Sequence, residues 1–160
     1  APKASDPREP RAGIILARLF PILILLVPLI SGLRFVQLDK EWWPLELIPA
    51  LQEEARKPGT KLFNEDRLAG MVIKYVPELP VFIDDRCELY GEAFLLDYLD
   101  AMKVRPDHWF KVWHERYGIN LALTQEKSKF TDYLLTSPDW ILIKKVPAGH
   151  LFRRKSTPRE

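Results

Sequence analysis

The sequence predicts an α/β protein: one N-terminal transmembrane helix, then a mostly parallel, helix-covered sheet that closes on a C-terminal β-hairpin. Three observations predict it. Residues 12–33 form an apolar run of 22 in which Arg18 is the one charge. Beyond that run, short apolar stretches alternate with segments of helical periodicity, the pattern of strands crossed by helices. Near the end, two strand-like stretches flank Pro147-Ala148-Gly149, which reads as a hairpin turn.

The apolar run comes first. Roughly 20 apolar residues rising about 1.5 Å each cross the hydrocarbon core of a bilayer. Arg18 sits near one end, where a long cation reaches the headgroups. Pro21 and Pro28 would weaken a water-exposed helix, but membrane helices tolerate proline. Trp42 and Trp43 suit the far interface. A cleaved signal peptide and a buried helix are the alternatives. The run is long for the apolar part of a signal, and no small-x-small cleavage site follows it. Lys3, Arg8 and Arg11 precede the run, and Arg34 and Lys40 follow it. That bias places the N-terminal side in the cytoplasm and the following domain outside.

The remaining boundaries follow from composition. Residues 1–11 read as a polar arm or loop, 34–43 as an interfacial linker, 44–154 as a soluble α/β domain and 155–160 as a basic tail. The chain opens on Ala1, so it reads as part of a longer protein or a processed form.

Within the domain, Pro44 to Lys57 is an amphipathic helix with proline in its first turn and Pro58-Gly59 at its end. Lys61 to Asn64 is a short strand. Asp66 to Val76 reads as a helix closed by Pro77, although Met71 to Val76 also has strand character. Val81 to Asp84 is an apolar run ending in acids, typical of a buried parallel strand. Gly91 to Val104 is a helix with Phe94, Leu95, Tyr98, Leu99 and Met102 on one face. A second helix starts at Pro106, with Asp107 as cap, and stops at Gly118. Ile119 to Leu123 is a buried strand and Lys129 to Thr136 a short helix. Trp140 to Val146 and His150 to Arg153 form the hairpin.

Charge and cysteine content exclude several functions. Of 24 basic and 22 acidic residues, only Lys3, Arg8, Arg11, Arg18, Asp6 and Glu9 precede residue 34, so the rest is formally neutral. Neutrality argues against a nucleic-acid partner. Cys87 is the single cysteine, which rules out an intrachain disulfide and a cysteine-based zinc site. His108, His114 and His150 share no metal-ligand spacing and read as surface or helix-face residues. Trp109, Trp113 and Tyr117 read as a core stripe. No glycine-rich phosphate loop and no hydrolase or zinc-protease motif occurs. Neither a metal nor a cofactor is expected.

The candidate ligand site is Asp84, Asp85 and Arg86, with Glu88 and Tyr90 close behind. They follow an apolar strand, and open α/β sheets bind ligands beyond the carboxyl ends of strands. The acids suit a cation or sugar hydroxyls, and Arg86 suits phosphate. The competing structural reading is that Asp84 pairs with Arg86 to hold the turn. Asn64-Glu65-Asp66-Arg67 ends the preceding strand, on the same side of the sheet if the two strands are parallel, and would join the same cluster; helix capping is the alternative for Asn64 and Asp66.

These residues carry a resemblance. Lys61-Leu62-Phe63-Asn64, Val81 to Arg86, Leu89-Tyr90-Gly91, Phe94, Asp97-Tyr98, Trp109, Arg116-Tyr117-Gly118, Leu121 to Leu123 and Asp139-Trp140 occur in that order. The pattern resembles the C-terminal soluble domain, with the last membrane span, of bacterial multi-spanning glycosyltransferase-like proteins of the polyprenol-phosphate-sugar class. Asp85 departs from it, standing where those proteins carry glycine. Glu65 to Val72 also departs, lacking their aromatics. The resemblance implies an inner-membrane location with the domain extracytoplasmic. It places the bilayer, and through the parent protein a lipid-linked sugar or acceptor, among the partners. The catalytic acid it implies belongs to an early extracytoplasmic loop, so no residue here is expected to be catalytic. Two other readings remain: a membrane-anchored binding or structural module without an enzymatic parent, and an enzyme domain working through Asp84, Asp85 and Arg86.

Overall fold

The computed structural model describes Phe20, Pro21, Leu26 and residues 41–155. The chain divides into two units, Ala1–Gln37 and Leu38–Glu160. In the first, Phe20, Pro21 and Leu26 are helical; the rest of the expected span at 12–33 lies outside the described residues. Among the described residues no helix is long and apolar enough to cross a membrane.

The second unit is α/β. Among the described residues its helices are α1 (Ile48–Ala55), α2 (Ala69–Tyr75), α3 (Glu92–Lys103), α4 (Pro106–Tyr117) and α5 (Lys129–Thr136). Its strands are β1 (Leu62–Asn64), β2 (Leu121–Gln125), β3 (Trp140–Val146) and β4 (Gly149–Arg154). Short 3-10 turns at Leu45–Leu47 and Asp66–Leu68 lead into α1 and α2. The sheet order is β1-β2-β4-β3. β1 and β2 are parallel, whereas β4 is antiparallel to both β2 and β3.

The sheet is therefore mixed, not mostly parallel. The reason lies at Val81–Asp84, expected as a strand, which forms no ladder. Its hydrogen bonds are taken by a side chain: Phe82 N–H donates to Asn64 Oδ1 at 2.8 Å, and Asn64 Nδ2 donates to the Ile83 carbonyl at 2.8 Å. One amide thus replaces a strand pairing, and β1 is left as an edge.

Both faces of the sheet are covered. Leu62, Leu121, Leu123 and Leu151 point to one face and pack with Leu47, Leu51, Met71 and Val72 from α1, α2 and the turn before α1. Phe63, Ala122 and Phe152 point to the other, against α3, α4 and α5. This alternation is the period-two geometry of strands. Phe63 is the hub of the second face, 4.7 Å from Phe110, 4.9 Å from Phe130 and 5.5 Å from Trp113 between ring centroids. Each such fully buried aromatic or aliphatic side chain contributes roughly 1.5–3 kcal/mol.

Two glycines are dictated by geometry. Gly118 closes α4 with φ 75°, the left-handed conformation that stops helices. At Gly149 a Cβ would lie 2.6 Å from the Thr124 carbonyl oxygen and 3.2 Å from Pro44. Only a hydrogen fits there, which lets β4 approach β2 and the start of the domain together. Asp107 lies in the first turn of α4 but makes no capping bond; Pro106 supplies the first helical position instead.

Candidate functional site

The candidate site is built on the extended segment that Asn64 fastens to β1. Asn64 is fully buried, and its amide is saturated by Phe82, Ile83 and the Glu65 carbonyl, the last at 3.0 Å. It caps no helix. Ordering the segment places Asp84, 2 % exposed, just beyond the end of β1.

The chain then turns tightly around the Asp84 carboxylate. Oδ1 accepts the Arg86 backbone N–H at 3.0 Å, and Oδ2 accepts Arg86 Nε at 3.0 Å and an Nη2 hydrogen. The Tyr90 hydroxyl accepts the Asp84 N–H at 3.0 Å. These hydrogen bonds, those from Arg86 above all, hold the Asp84 carboxyl below the usual carboxylate range. Burial pushes the Tyr90 hydroxyl up, so Tyr90 stays a neutral acceptor and donor.

Of the six residues expected to form a site, Asn64, Asp84, Arg86 and Tyr90 meet around the backbone of residues 82–84. Asp85 and Glu88 do not; both are exposed and make no bond in this network. Arg86 gives Nε and one Nη2 hydrogen to Asp84, and the rest of its guanidinium reaches solvent. The cluster therefore acts as a latch, with its one buried charge neutralised inside the turn.

A neighbouring acidic group is more deeply engaged. Glu65, next to Asn64, is buried. Its Oε1 accepts the Gln125 N–H at 2.8 Å and the Ser128 hydroxyl at 2.7 Å, and its Oε2 accepts Gln125 Nε2 at 3.0 Å. It ties the end of β1 to the end of β2 and the start of α5. Burial raises its carboxyl against the lowering effect of these donors. Asp66 follows: its N–H donates to the Tyr98 hydroxyl at 3.2 Å, and that hydroxyl donates back to Oδ1 at 3.3 Å. Asp66, Asp84 and Tyr98 line a cleft of about 170 Å³ floored by Ile83, Leu95 and Met102.

Sequence reasoning set Glu65 in the polar stretch that ends β1 but gave it no role of its own, although acids are rarely buried unless partnered. The available signal was its position directly after a buried strand, with Gln125 at the end of the adjacent parallel one. It also placed His150 on a surface. His150 is buried on β4, 1 % exposed, with neither ring nitrogen hydrogen-bonded. It stacks on Phe152 at 5.9 Å, and burial lowers its basicity. The Trp109–Trp113–Tyr117 stripe is core in part: Trp113 is buried, Trp109 is half-buried with Nε1 donating to Asp100 at 2.6 Å, and Tyr117 is 38 % exposed. On β4, Arg153 is tied to the buried Glu54 at 2.6 Å.

A larger groove of about 500 Å³ opens at the other end of β1, between Lys61, Phe82, Tyr90, Phe94 and Tyr117. Its walls are mostly apolar and aromatic, with Thr60 and Lys61 among them. Among the described residues no group of three or more His, Cys, Asp or Glu side chains is arranged to hold a metal. No protein-family model, no curated protein and no solved structure matches this chain.

Proposed function

We propose that this chain is a membrane-tethered, non-catalytic module: the extracytoplasmic C-terminal domain of a glycosyltransferase-like membrane protein that uses a lipid-linked sugar donor. The observation that carries the non-catalytic half is the closed network at Asp84. A general acid, base or metal ligand needs a lone pair or proton directed at substrate. Here the buried Asp84 carboxylate is spent on the Arg86 side chain and backbone N–H, and the Asn64 amide is spent on the backbone. The membrane half is supported by the 22-residue apolar run at 12–33, and the parent class by the sequence resemblance.

The module then acts through its surface and position, holding the parent's acceptor side in shape. A membrane-anchored binding module with no enzymatic parent is the second reading. The cleft between Asp66, Asp84 and Tyr98 favours it, because that is where polar groups converge on enclosed apolar space.

One paired experiment tests the tether and its direction. In bacterial cells the full chain is expected to resist alkaline carbonate extraction from membranes. A C-terminal alkaline phosphatase fusion is expected to be active, and a C-terminal cytoplasmic reporter silent. Extraction into the soluble fraction refutes the tether; the opposite reporter pattern refutes the orientation.

A further inference from the structure

The groove of about 500 Å³ beside β1 has an aromatic wall that the Asn64 and Asp84 hydrogen bonds set in place. Asn64 holds the Phe82 N–H, and the Asp84 N–H holds the Tyr90 hydroxyl. The wall runs on from these two rings. Phe82 lies 5.4 Å from Phe94 and 5.9 Å from Tyr117 between centroids, and Tyr90 stacks on Phe94 at 5.4 Å. Phe82, Tyr90 and Phe94 are half-buried, Tyr117 is 38 % exposed, and Leu89 is 64 % exposed. The latch, closed on itself, thus holds two rings at the border of an open space. A concavity of this volume is the size of a small-molecule site.

The polar groups of the groove define what such a molecule carries. Most are spent. Thr60 Oγ1 is taken up by the Glu54 and Lys57 carbonyls and the Arg153 guanidinium, and the Tyr90 hydroxyl by Asp84. Two remain: among the described residues, neither the Lys61 ammonium nor the Tyr117 hydroxyl has a partner. They belong to one end of the groove, because the Lys61 stem lies against Gly118, where an added Cβ would sit 3.8 Å from Lys61 Cγ. The Arg116 guanidinium lies 5.2 Å from the Tyr117 ring and adds positive charge there. Among the described residues that line the groove, Lys61 alone is charged. The neighbouring acids Glu88 and Glu115 line other clefts.

An unpaired cation and a phenol at one end of an apolar trough match an oxyanion carried on an apolar body. A neutral polyol, such as a sugar, would leave most of its hydroxyls without partners against the aromatic wall.

We propose that the groove binds an amphipathic anion: a phosphate or carboxylate seated on Lys61 and Tyr117, with its apolar chain or ring along Phe82, Phe94 and Leu89. Asn64 and Asp84 are positioning residues for this site; they hold the wall and do not touch the ligand. Binding of this kind is independent of the membrane tether and gives the domain a ligand of its own.

The test is equilibrium dialysis of the full chain in phosphatidylcholine nanodiscs. Parent and variants share the same discs, so uptake by the lipid is common to all and subtracts. The probes are octyl phosphate, octanoate, octanol, inorganic phosphate and methyl glucoside. Octyl phosphate or octanoate is expected to saturate at one per chain, and the tighter of the two identifies the head group. Lys61→Gln should weaken that anion about tenfold, the scale of one charge-assisted hydrogen bond, and leave octanol unchanged. Leu89→Ser should weaken the anion and octanol alike. Both side chains are exposed, so thermal melting of both variants should match the parent. Octanol or inorganic phosphate binding as tightly as octyl phosphate overturns the proposal, as does an anion affinity untouched by Lys61→Gln. Saturable methyl glucoside without the anions assigns the groove to a sugar and overturns it. A chain that takes up no anion and dimerises in detergent until Leu89→Ser restores the monomer assigns the groove to a second copy, and overturns it too.

Discussion

The side-chain amide of Asn64 does for Phe82 and Ile83 what a neighbouring strand would do: it gives one acceptor and one donor, both at 2.8 Å, to the segment beside β1. Its second amide hydrogen goes to the Glu65 carbonyl. Asn64→Asp keeps the size and removes both donors, setting a carboxylate against two carbonyl oxygens. It is expected to cost about 3 kcal/mol or more, as buried unpaired polar groups do. Urea denaturation followed by tryptophan fluorescence checks it; a variant within about 0.5 kcal/mol of the parent would show the segment is held by other contacts.

Glu65 supplies a sharper pair. Glu65→Ala strands the Gln125 N–H and the Ser128 hydroxyl and should lower stability by about 1–3 kcal/mol. Glu65→Gln keeps an acceptor for them, and a flip of the Gln125 amide satisfies the rest. It also removes a carboxylate whose burial raises its pKa. That raised pKa means the folded state binds the proton more tightly than the unfolded one. Stability contributed by protonated Glu65 is therefore lost as pH rises from about 4.5 through the folded value. Glu65→Gln should flatten that slope in pH-dependent melting curves; an unchanged slope would assign it elsewhere.

Much of this was legible in sequence, and the failures have one physical cause. Helices α3, α4 and α5 and the hairpin follow from local signals: an apolar face, Pro106 at a first turn, Gly118 at a stop, and the Pro147-Ala148-Gly149 turn, of which Gly149 proves to be the first residue of β4. Val81–Asp84 had the apolar character of a buried strand but became an extended segment. The competing bond came from Asn64, and a side chain eighteen residues away leaves no periodic trace. The candidate residues converged for the same reason, yet what they converge on is their own turn. Composition gives residue types; whether Arg86 faces a ligand or Asp84 depends on turn geometry. His150 was misplaced because its burial is set by β4 lying inside the sheet between β2 and β3, a matter of strand order.

His150 carries the second pH window. The unfolded chain takes up a proton near the ordinary imidazole value of 6.5, while the buried ring resists it. The unfolded state therefore binds more protons below that value, and stability falls as pH drops beneath about 6.5. Lys145, opposite on β3, adds to the resistance, while Glu126 opposes it. His150→Leu should abolish this step and hold or raise the melting temperature at neutral pH, since no hydrogen bond is lost. A step that persists in the variant would show that another group produces it.

Gly149 tests the seam between the hairpin and the start of the domain. Gly149→Ala puts a methyl 2.6 Å from the Thr124 carbonyl oxygen and against Pro44. Overpacking of this kind costs about 1–3 kcal/mol. The loss should appear in thermal melting, and proteolysis near residue 44 should rise with it. A variant as stable and as resistant as the parent would show that the seam yields freely.

The latch at Asp84 bears most directly on the whole account, because the non-catalytic reading rests on its carboxylate being consumed by Arg86 and Tyr90. Its lowered pKa predicts stabilisation that is complete above about 3.8 and lost as pH falls through the lower folded value. The decisive measurement is the urea midpoint of the full chain and of Asp84→Ala in the same detergent at neutral pH. The account predicts a loss of about 1–3 kcal/mol, since the substitution frees the Arg86 backbone N–H and opens the turn. An unchanged midpoint would mean that the latch holds nothing and that the carboxylate is kept for chemistry, which contradicts the account.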